Sequence, residues 1–199
     1  MTEMVQTNQF SRLHSICQVG LKQAESVLSG MVTQAITLTA GDISLIEVER
    51  LQETLSNRYA ENISQVSMRF EGDVAGSLFV LFPPETTTVL INTLTKSVMR
   101  NYEMDVFRIG TITEVGNILL SGVIAAVVTA TGVSLSYGTL DYDETSILVL
   151  SKQTREQCML LGELMIQVES LEVSVMVMGA FESESLVQLN KLLAKGETS

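Results

Sequence analysis

The sequence predicts an α/β (α+β) fold that is internally duplicated, with two long helices packed on a shared mixed sheet and related by a pseudo-two-fold axis. Three observations predict it. The 199 residues are 46% hydrophobic, ample for a packed core. Apolar residues recur with a helical period in some stretches and alternate with a strand period in others. The order of these stretches also repeats. A shift of 99 residues brings Ser15 onto Glu114 and lays Leu13, Ile16, Val19 and Leu28 on Ile112, Val115, Ile118 and Val127. It carries Ile36 to Leu135, Asp42 to Asp141, Phe82 to Phe181, and Leu90 and Leu94 to Leu189 and Leu193.

Each copy reads as a long helix, a strand, a short helix, a hairpin and a closing helix. In the first copy the long helix covers 9–32, the strand 35–46 and the short helix 47–57. The hairpin strands cover 62–70 and 73–83, turning at Glu71-Gly72-Asp73, where glycine permits a positive φ. Pro83-Pro84 stops the second of them and suits the first turn of a helix over 84–99. In the second copy the same elements fall at 105–131, 133–142, 144–156, 159–168, 171–181 and 182–195. Three strands alone would leave open edges, so the halves are expected to share one sheet. The whole of 1–199 then forms a single domain with pseudo-repeats about 9–99 and 105–195. The junction "SVMRNYEMDVF" lacks the composition of a flexible linker.

The charge balance removes several functions. Twelve Lys plus Arg stand against 23 Asp plus Glu, a net charge of −11, so the surface field opposes nucleic acid and anionic lipid. Two cysteines and one histidine do not make a disulfide framework or a usual zinc site. The start, MTEMVQTNQF, lacks a basic segment followed by an apolar one, and a cytoplasmic location is expected. From Val115 to Leu140 there is no charge, long enough for a membrane span. Polar interruptions at Asn117, Ser121, Thr129 and Thr131, and flanks without Lys/Arg clusters, argue instead for a packed helix.

That helix, "TEVGNILLSGVIAAVVTATG", opens with an acid and a carboxamide. At about 100° per residue, Gly110, Asn117 and Ser121 lie within about 60° of Glu114, and Ala125 continues the stripe. Ile112, Val115, Leu119, Val123, Ala126 and Ala130 lie between about 100° and 180° and form the predicted buried face. The stripe is the place for a partner, or it is simply the solvated side of an amphipathic helix. Glu114 has a second structural reading as the last member of a capping box beginning at Thr111, although Asp105 is an equally good N-cap. In the first copy Ser15 and Gln18 stand at the Glu and Asn positions, so chemistry that needs both groups is confined to the second copy.

"ITEVGNILLSG", on a long helix of a duplicated chain, resembles the CheC/CheX/FliY phosphatases of bacterial chemotaxis, and the CheC type most of all. Their long helices bear Ser or Asp, then Glu four residues on, Asn three further, and a Pro 23 residues after the Asn. Glu114 and Asn117 match the central pair, while Gly110 and Leu140 replace the flanking Ser/Asp and Pro. The first copy keeps Ser11 at the leading position but not the pair, a degenerate first site of Ser11, Ser15 and Gln18. The resemblance implies a protein that binds a phosphorylated CheY-like receiver domain and hydrolyses its aspartyl phosphate. Asn117 would orient the attacking water, and Glu114 would engage the receiver's lysine. Gly110, Ser121 and Ala125 would lie against the partner. The family needs no cofactor of its own, the Mg²⁺ being held by the receiver, and a CheD-like protein is a further possible partner.

Two other readings remain open. The same architecture serves as a non-catalytic module that binds a receiver, a CheD-like deamidase or a flagellar switch protein, as in the FliM middle domain, which lacks the Glu/Asn pair. Alternatively Asp141, Asp143 and Glu144, placed just after a strand, hold a cation in an unrelated enzyme. Cys17 and Cys158 are read as buried apolar residues, the methionines as core, and His14 as a surface or helix-end residue.

Overall fold

The computed structural model describes residues 2–31, 35–56, 62–95, 101–147, 149–150, 158–168 and 171–195. The parts of the expected helices at 32, 57, 96–99, 148 and 151–156 lie outside the described residues. In chain order the elements are α1 (Thr2–Met31), β1 (Ile36–Ile46), α2 (Val48–Ser56), β2 (Asn62–Gly72), β3 (Gly76–Phe82), α3 (Pro84–Thr95), α4 (Asn101–Thr131), β4 (Leu135–Ser146), β5 (Cys158–Val168), β6 (Leu171–Phe181) and α5 (Ser183–Lys195). Ile147, Val149 and Leu150, from the second short helix, are helical.

The strands form one six-stranded sheet in the order β1-β5-β6-β3-β2-β4. Exchanging the two copies reverses this order and leaves it unchanged, the signature of a two-fold axis between β3 and β6. Each copy's first strand crosses to pair with the other copy's hairpin, β1 on β5 and β4 on β2. Every pairing is antiparallel, so the expectation of a mixed sheet is corrected. The reason is geometric. A two-fold axis through a sheet reverses strand direction, and the hairpins are antiparallel by construction.

The repeat is finer than the sequence alone suggests. β1 bulges at Gly41-Asp42 opposite Glu163, and β4 bulges at Gly138-Thr139 opposite Arg69. At the bulge the shift is therefore 97 residues, so Asp42 corresponds to Thr139 and not to Asp141. Gly72 turns the first hairpin at φ 140°, as its position in the turn predicts, and a side chain there would meet the Ser134 carbonyl oxygen at 2.3 Å.

Both faces of the sheet are covered. On one face α1 and α4 pack with α3 and α5 over Val66, Val80, Phe82, Leu164 and Val175. On the other, Leu51 and Leu55 of α2, with Ile147 and Leu150, cover Phe79, Leu81, Met159, Met176 and Met178. The long helices touch where Gly20 meets Gly122, so closely that a Cβ on Gly20 would fall 2.3 Å from the Gly122 carbonyl oxygen. Gly116 in turn lets α4 settle on Val66, which a Cβ there would meet at 2.7 Å.

Covered on both these sides, α4 buries a wider arc than the sequence predicts. Ile112, Val115, Leu119 and Ala126 are buried as expected, and Leu120 and Ile124 join them. Val123 is half-buried, and Ala130 in the last turn is exposed, against the expectation. Five buried Ile, Leu and Val side chains contribute on the order of 10 kcal/mol. That anchors the helix while its opposite face stays open. Val106–Thr131 has the length and apolarity of a membrane span, yet its apolar arc is spent on the sheet and on α1. α4 ends at Gly132, φ 67°, whose N–H donates to the Val128 carbonyl at 2.8 Å.

Candidate functional site

Glu114 and Asn117 sit in the middle of α4, not at its start. The helix begins at Asn101, so neither a capping box at Thr111 nor an N-cap at Asp105 exists. The Thr111 hydroxyl instead donates 2.8 Å back to the Phe107 carbonyl, as an interior helical threonine does. With the structural role gone, Glu114 stands exposed one turn from the half-buried Asn117. Ser121, the next turn along, donates its hydroxyl to Asn117 Oδ1 at 3.1 Å. Donation to Oδ1 fixes which way the carboxamide faces and leaves Nδ2 to address a partner.

The stripe is open along its length. Gly110 and Ala125 are exposed, and nothing lies within 4 Å of where a Cβ on Gly110 would be. Sequence reasoning missed Phe107, two turns before Glu114 on the same stripe. Its ring is exposed, beside the exposed Val106 and Ile109. Leu140 is half-buried in β4, paired with Met68 just past the bulge. An exposed apolar group beside a polar pair was visible in the helical period, but there Phe107 reads as part of the apolar repeat.

The first copy uses the same positions differently. Ser11 and Ser15 are exposed, and the Ser15 hydroxyl donates to the Ser11 carbonyl at 3.0 Å. Gln18 turns inward onto β1, where Nε2 donates to the Leu38 carbonyl at 3.1 Å and Oε1 accepts from the Ala40 N–H at 2.9 Å. Its neighbours along α1 complete a clamp. Glu25 accepts from Leu38 N–H at 2.9 Å, Ser29 bonds both backbone groups of Ile36, and His14 Nε2 lies 3.0 Å from the Ala40 carbonyl. His14 is thus mid-helix and engaged, which corrects its reading as a surface or helix-end residue.

β1 is an edge strand, and α1 satisfies the outward N–H and C=O of Ile36, Leu38 and Ala40 with side chains. At the positions of His14, Gln18, Glu25 and Ser29, α4 carries Thr113, Asn117, Ile124 and Val128. Two of these four are apolar, and Thr113 bonds its own helix at the Ile109 carbonyl. Among the described residues, no side chain bonds the backbone of Leu135 or Tyr137 at the matching edge of β4. One polar stripe seals its sheet edge, and the other is left free.

The acidic trio does not form a cation site. Asp141, Asp143 and Glu144 lie within β4, not after it, so strand alternation sends the two aspartates to one face and Glu144 to the other. Glu144 is taken by Arg108 of α4 and by the Tyr142 hydroxyl at 3.0 Å. Burial pushes the Tyr142 phenol above its ordinary range, with Ser64 pulling it down and Glu144 raising it further. Among the described residues, no group of three or more His, Cys, Asp or Glu is placed to hold a metal. Cys17 and Cys158 are both half-buried rather than fully buried.

No protein-family model matches the sequence, and no curated protein does. Solved structures do. FliY of Thermotoga maritima superposes with a TM-score of 0.75 at 10% identity, covering 95% of this chain and 97% of that one. The chain has the CheC/CheX/FliY fold. FliM in the FliG-FliM complex of H. pylori shares that fold at a TM-score of 0.69, with 11% identity over 92% of this chain and 98% of the other. CheX in the CheX-CheY-BeF3-Mg²⁺ complex of Borrelia burgdorferi matches at 0.55, with 17% identity over 82% and 96%. On this fold the chain carries an unequal pair of helix faces, α1 bonded to its sheet edge and α4 open.

Proposed function

We propose that this chain is a phosphatase for the aspartyl phosphate of a CheY-like receiver domain in cytoplasmic chemotaxis signalling, with α4 as its working face. The observation that carries the reading is the exposed Glu114 beside Asn117, whose carboxamide is oriented by Ser121 on a stripe with no structural duty of its own. The reaction asks little of the protein beyond position. Water attacks phosphorus in line, the bond to the receiver's aspartate oxygen breaks, and carboxylate and inorganic phosphate leave. Asn117 holds the water through its amide, Glu114 pairs with the receiver's lysine and fixes the register, and the receiver's own acidic residues hold Mg²⁺. The solved complex of CheX with CheY, BeF3 and Mg²⁺ supports a receiver as the class of partner.

A second reading rests on a specific departure. Gly110 offers no polar group where the family pattern has Ser or Asp, and the FliG-FliM neighbour shows this fold in a binding role. A binding module would engage a receiver, a switch protein or a CheD-like protein without turnover. Single substitutions separate the roles. Asn117→Ala should leave the affinity for a Mg²⁺- and beryllofluoride-loaded receiver within about twofold and lower hydrolysis by about 100-fold or more, the scale of losing one positioning group. Glu114→Ala should weaken that affinity. If the receiver binds and its phosphate decays at the unassisted rate, the binding module is correct.

A further inference from the structure

Beneath α1 and α4 lies a cavity of about 120 Å³. Both copies build it. Leu13 and Cys17 come from α1, Val123 and Val127 from α4, and Leu160 and Val177 from the sheet, and the lining is almost wholly apolar. Native cores hold few voids larger than a water molecule, and an unfilled one costs stability in proportion to its volume. Water gains little here, since it needs two to four polar partners.

The floor is kept low by glycine. Gly162 and Gly179 border the cavity on the helix-facing side of β5 and β6, where Leu160, Leu164 and Val177 are otherwise the rule. A glycine inside a strand weakens it and often marks a place where another group approaches closely. At Gly162 a Cβ would make only ordinary contact, 3.4 Å from Ile43, so the space there is left open by sequence and not forced by a clash, whereas at Gly179 a Cβ would meet the Phe181 ring at 2.6 Å and the glycine makes room for that ring. Cys17 brings no charge, because burial pushes its thiol up to about 12. Entry is available at the rim, where Ala40, Ile43, Val123 and Val127 are half-buried and not sealed.

We infer that this cavity is a binding site for a small uncharged apolar molecule of about the size of a benzene ring, held between the two long helices and the sheet. A dry apolar cavity of about 150 Å³ is known to admit benzene, so the size and the lining agree on the class of ligand. A polar ring of the same size gains less, because almost all of the lining it would touch is apolar. The site is separate from the Glu114 and Asn117 stripe, which lies on the outward face of α4, and it stands whether or not that stripe hydrolyses phosphate.

Benzene and phenol serve as probes on the full chain. Near-saturating benzene should raise the melting temperature by about 2–4 °C, the shift expected of about 1 kcal/mol in a chain of this size, and phenol should raise it less. Benzene should also move the ¹³C methyl resonances of Val123, Val127 and Leu160. Cys17→Leu, which fills the space, should abolish both effects. Should that variant fail to fold, the methyl spectra of the unaltered protein decide alone. Unmoved methyls, an equal response to phenol, or a benzene effect that survives in folded Cys17→Leu would each overturn the inference.

Discussion

The Asn117 carboxamide is at once donor and acceptor, and the Ser121 hydroxyl engages its oxygen at 3.1 Å. Removing that hydroxyl frees the amide to rotate while leaving the stripe open. Ser121→Ala should therefore lower the single-turnover rate on a phosphorylated receiver by about fivefold, roughly one hydrogen bond's worth, with little change in receiver affinity, and Ser121→Thr should restore it. Gly110 makes a different prediction. Glycine inside a helix costs about 0.5–1 kcal/mol relative to alanine, and a side chain at 110 meets open space. Gly110→Ala should raise the unfolding free energy measured in urea by that amount, whereas Gly110→Ser supplies the polar group of the family pattern and tests whether turnover follows. At this scale the pair was legible in the sequence because a spacing of three puts two side chains on one helix face. Ser121 fell on the same face, but its bond to Asn117 depends on a rotamer that spacing does not specify.

Among the elements, α1 and α4 occupy matching places in the two halves and use their polar stripes differently. The clamp of His14, Gln18, Glu25 and Ser29 on β1 is the first copy's use of its polar stripe. Gln18→Ala leaves the Leu38 carbonyl and the Ala40 N–H without partners, and it should destabilise the fold by about 1–3 kcal/mol in urea. Asn117→Ala, at the matching place in α4, should change stability by less than about 0.5 kcal/mol. Glu25 adds a pH dependence. The Leu38 N–H, and after it Lys22, hold its carboxyl below the ordinary glutamate value of 4.5. The unfolded chain thus takes up a proton first as acid is added. This share of stability is complete above about 4.5 and lost as the pH falls through the lower folded value, a slope that Glu25→Gln should flatten. The sequence placed most of the described helices and strands within about four residues because their periods are distinct, Gly72 and Pro84 included, but α1 begins at Thr2 and not at 9, and β4 runs on to Ser146 where a short helix was expected from 144. It did not reveal the clamp, since polar residues at 14, 18, 25 and 29 look like any solvated stripe until an edge strand is laid beside them. The capping box failed for a similar reason, as helical period cannot say how far upstream a helix begins.

Across the whole molecule, the two-fold axis explains what the elements cannot. It sets β3 antiparallel to β6 and makes the pairing of β1 on β5 the same as that of β4 on β2, and it brings Gly20 against Gly122. Gly20→Ala should lower the melting temperature despite alanine's better helix propensity, because overpacking costs about 1–3 kcal/mol. Gly30→Ala, with nothing within 4 Å, should not. The duplication was legible as a repeat of patterns. The all-antiparallel pairing was not, since it depends on which edges meet, a contact between residues from Gly72 and Leu135 to Ile36 and Val168, far apart in the chain. The same axis offers two faces to a partner, of which α1 is committed to its own sheet and α4 is free. On the proposed function, α4 alone acts on a receiver. The measurement that tests it is the rate of phosphate loss from a Mg²⁺-bound, phosphorylated CheY-type receiver, alone and with this protein, beside the Glu114→Ala/Asn117→Ala double variant and Ser15→Ala. The unaltered protein should accelerate phosphate loss, the double variant should abolish that acceleration, and Ser15→Ala should keep it. Unaccelerated decay with the unaltered protein, or acceleration that survives the loss of Glu114 and Asn117, would contradict the proposed function.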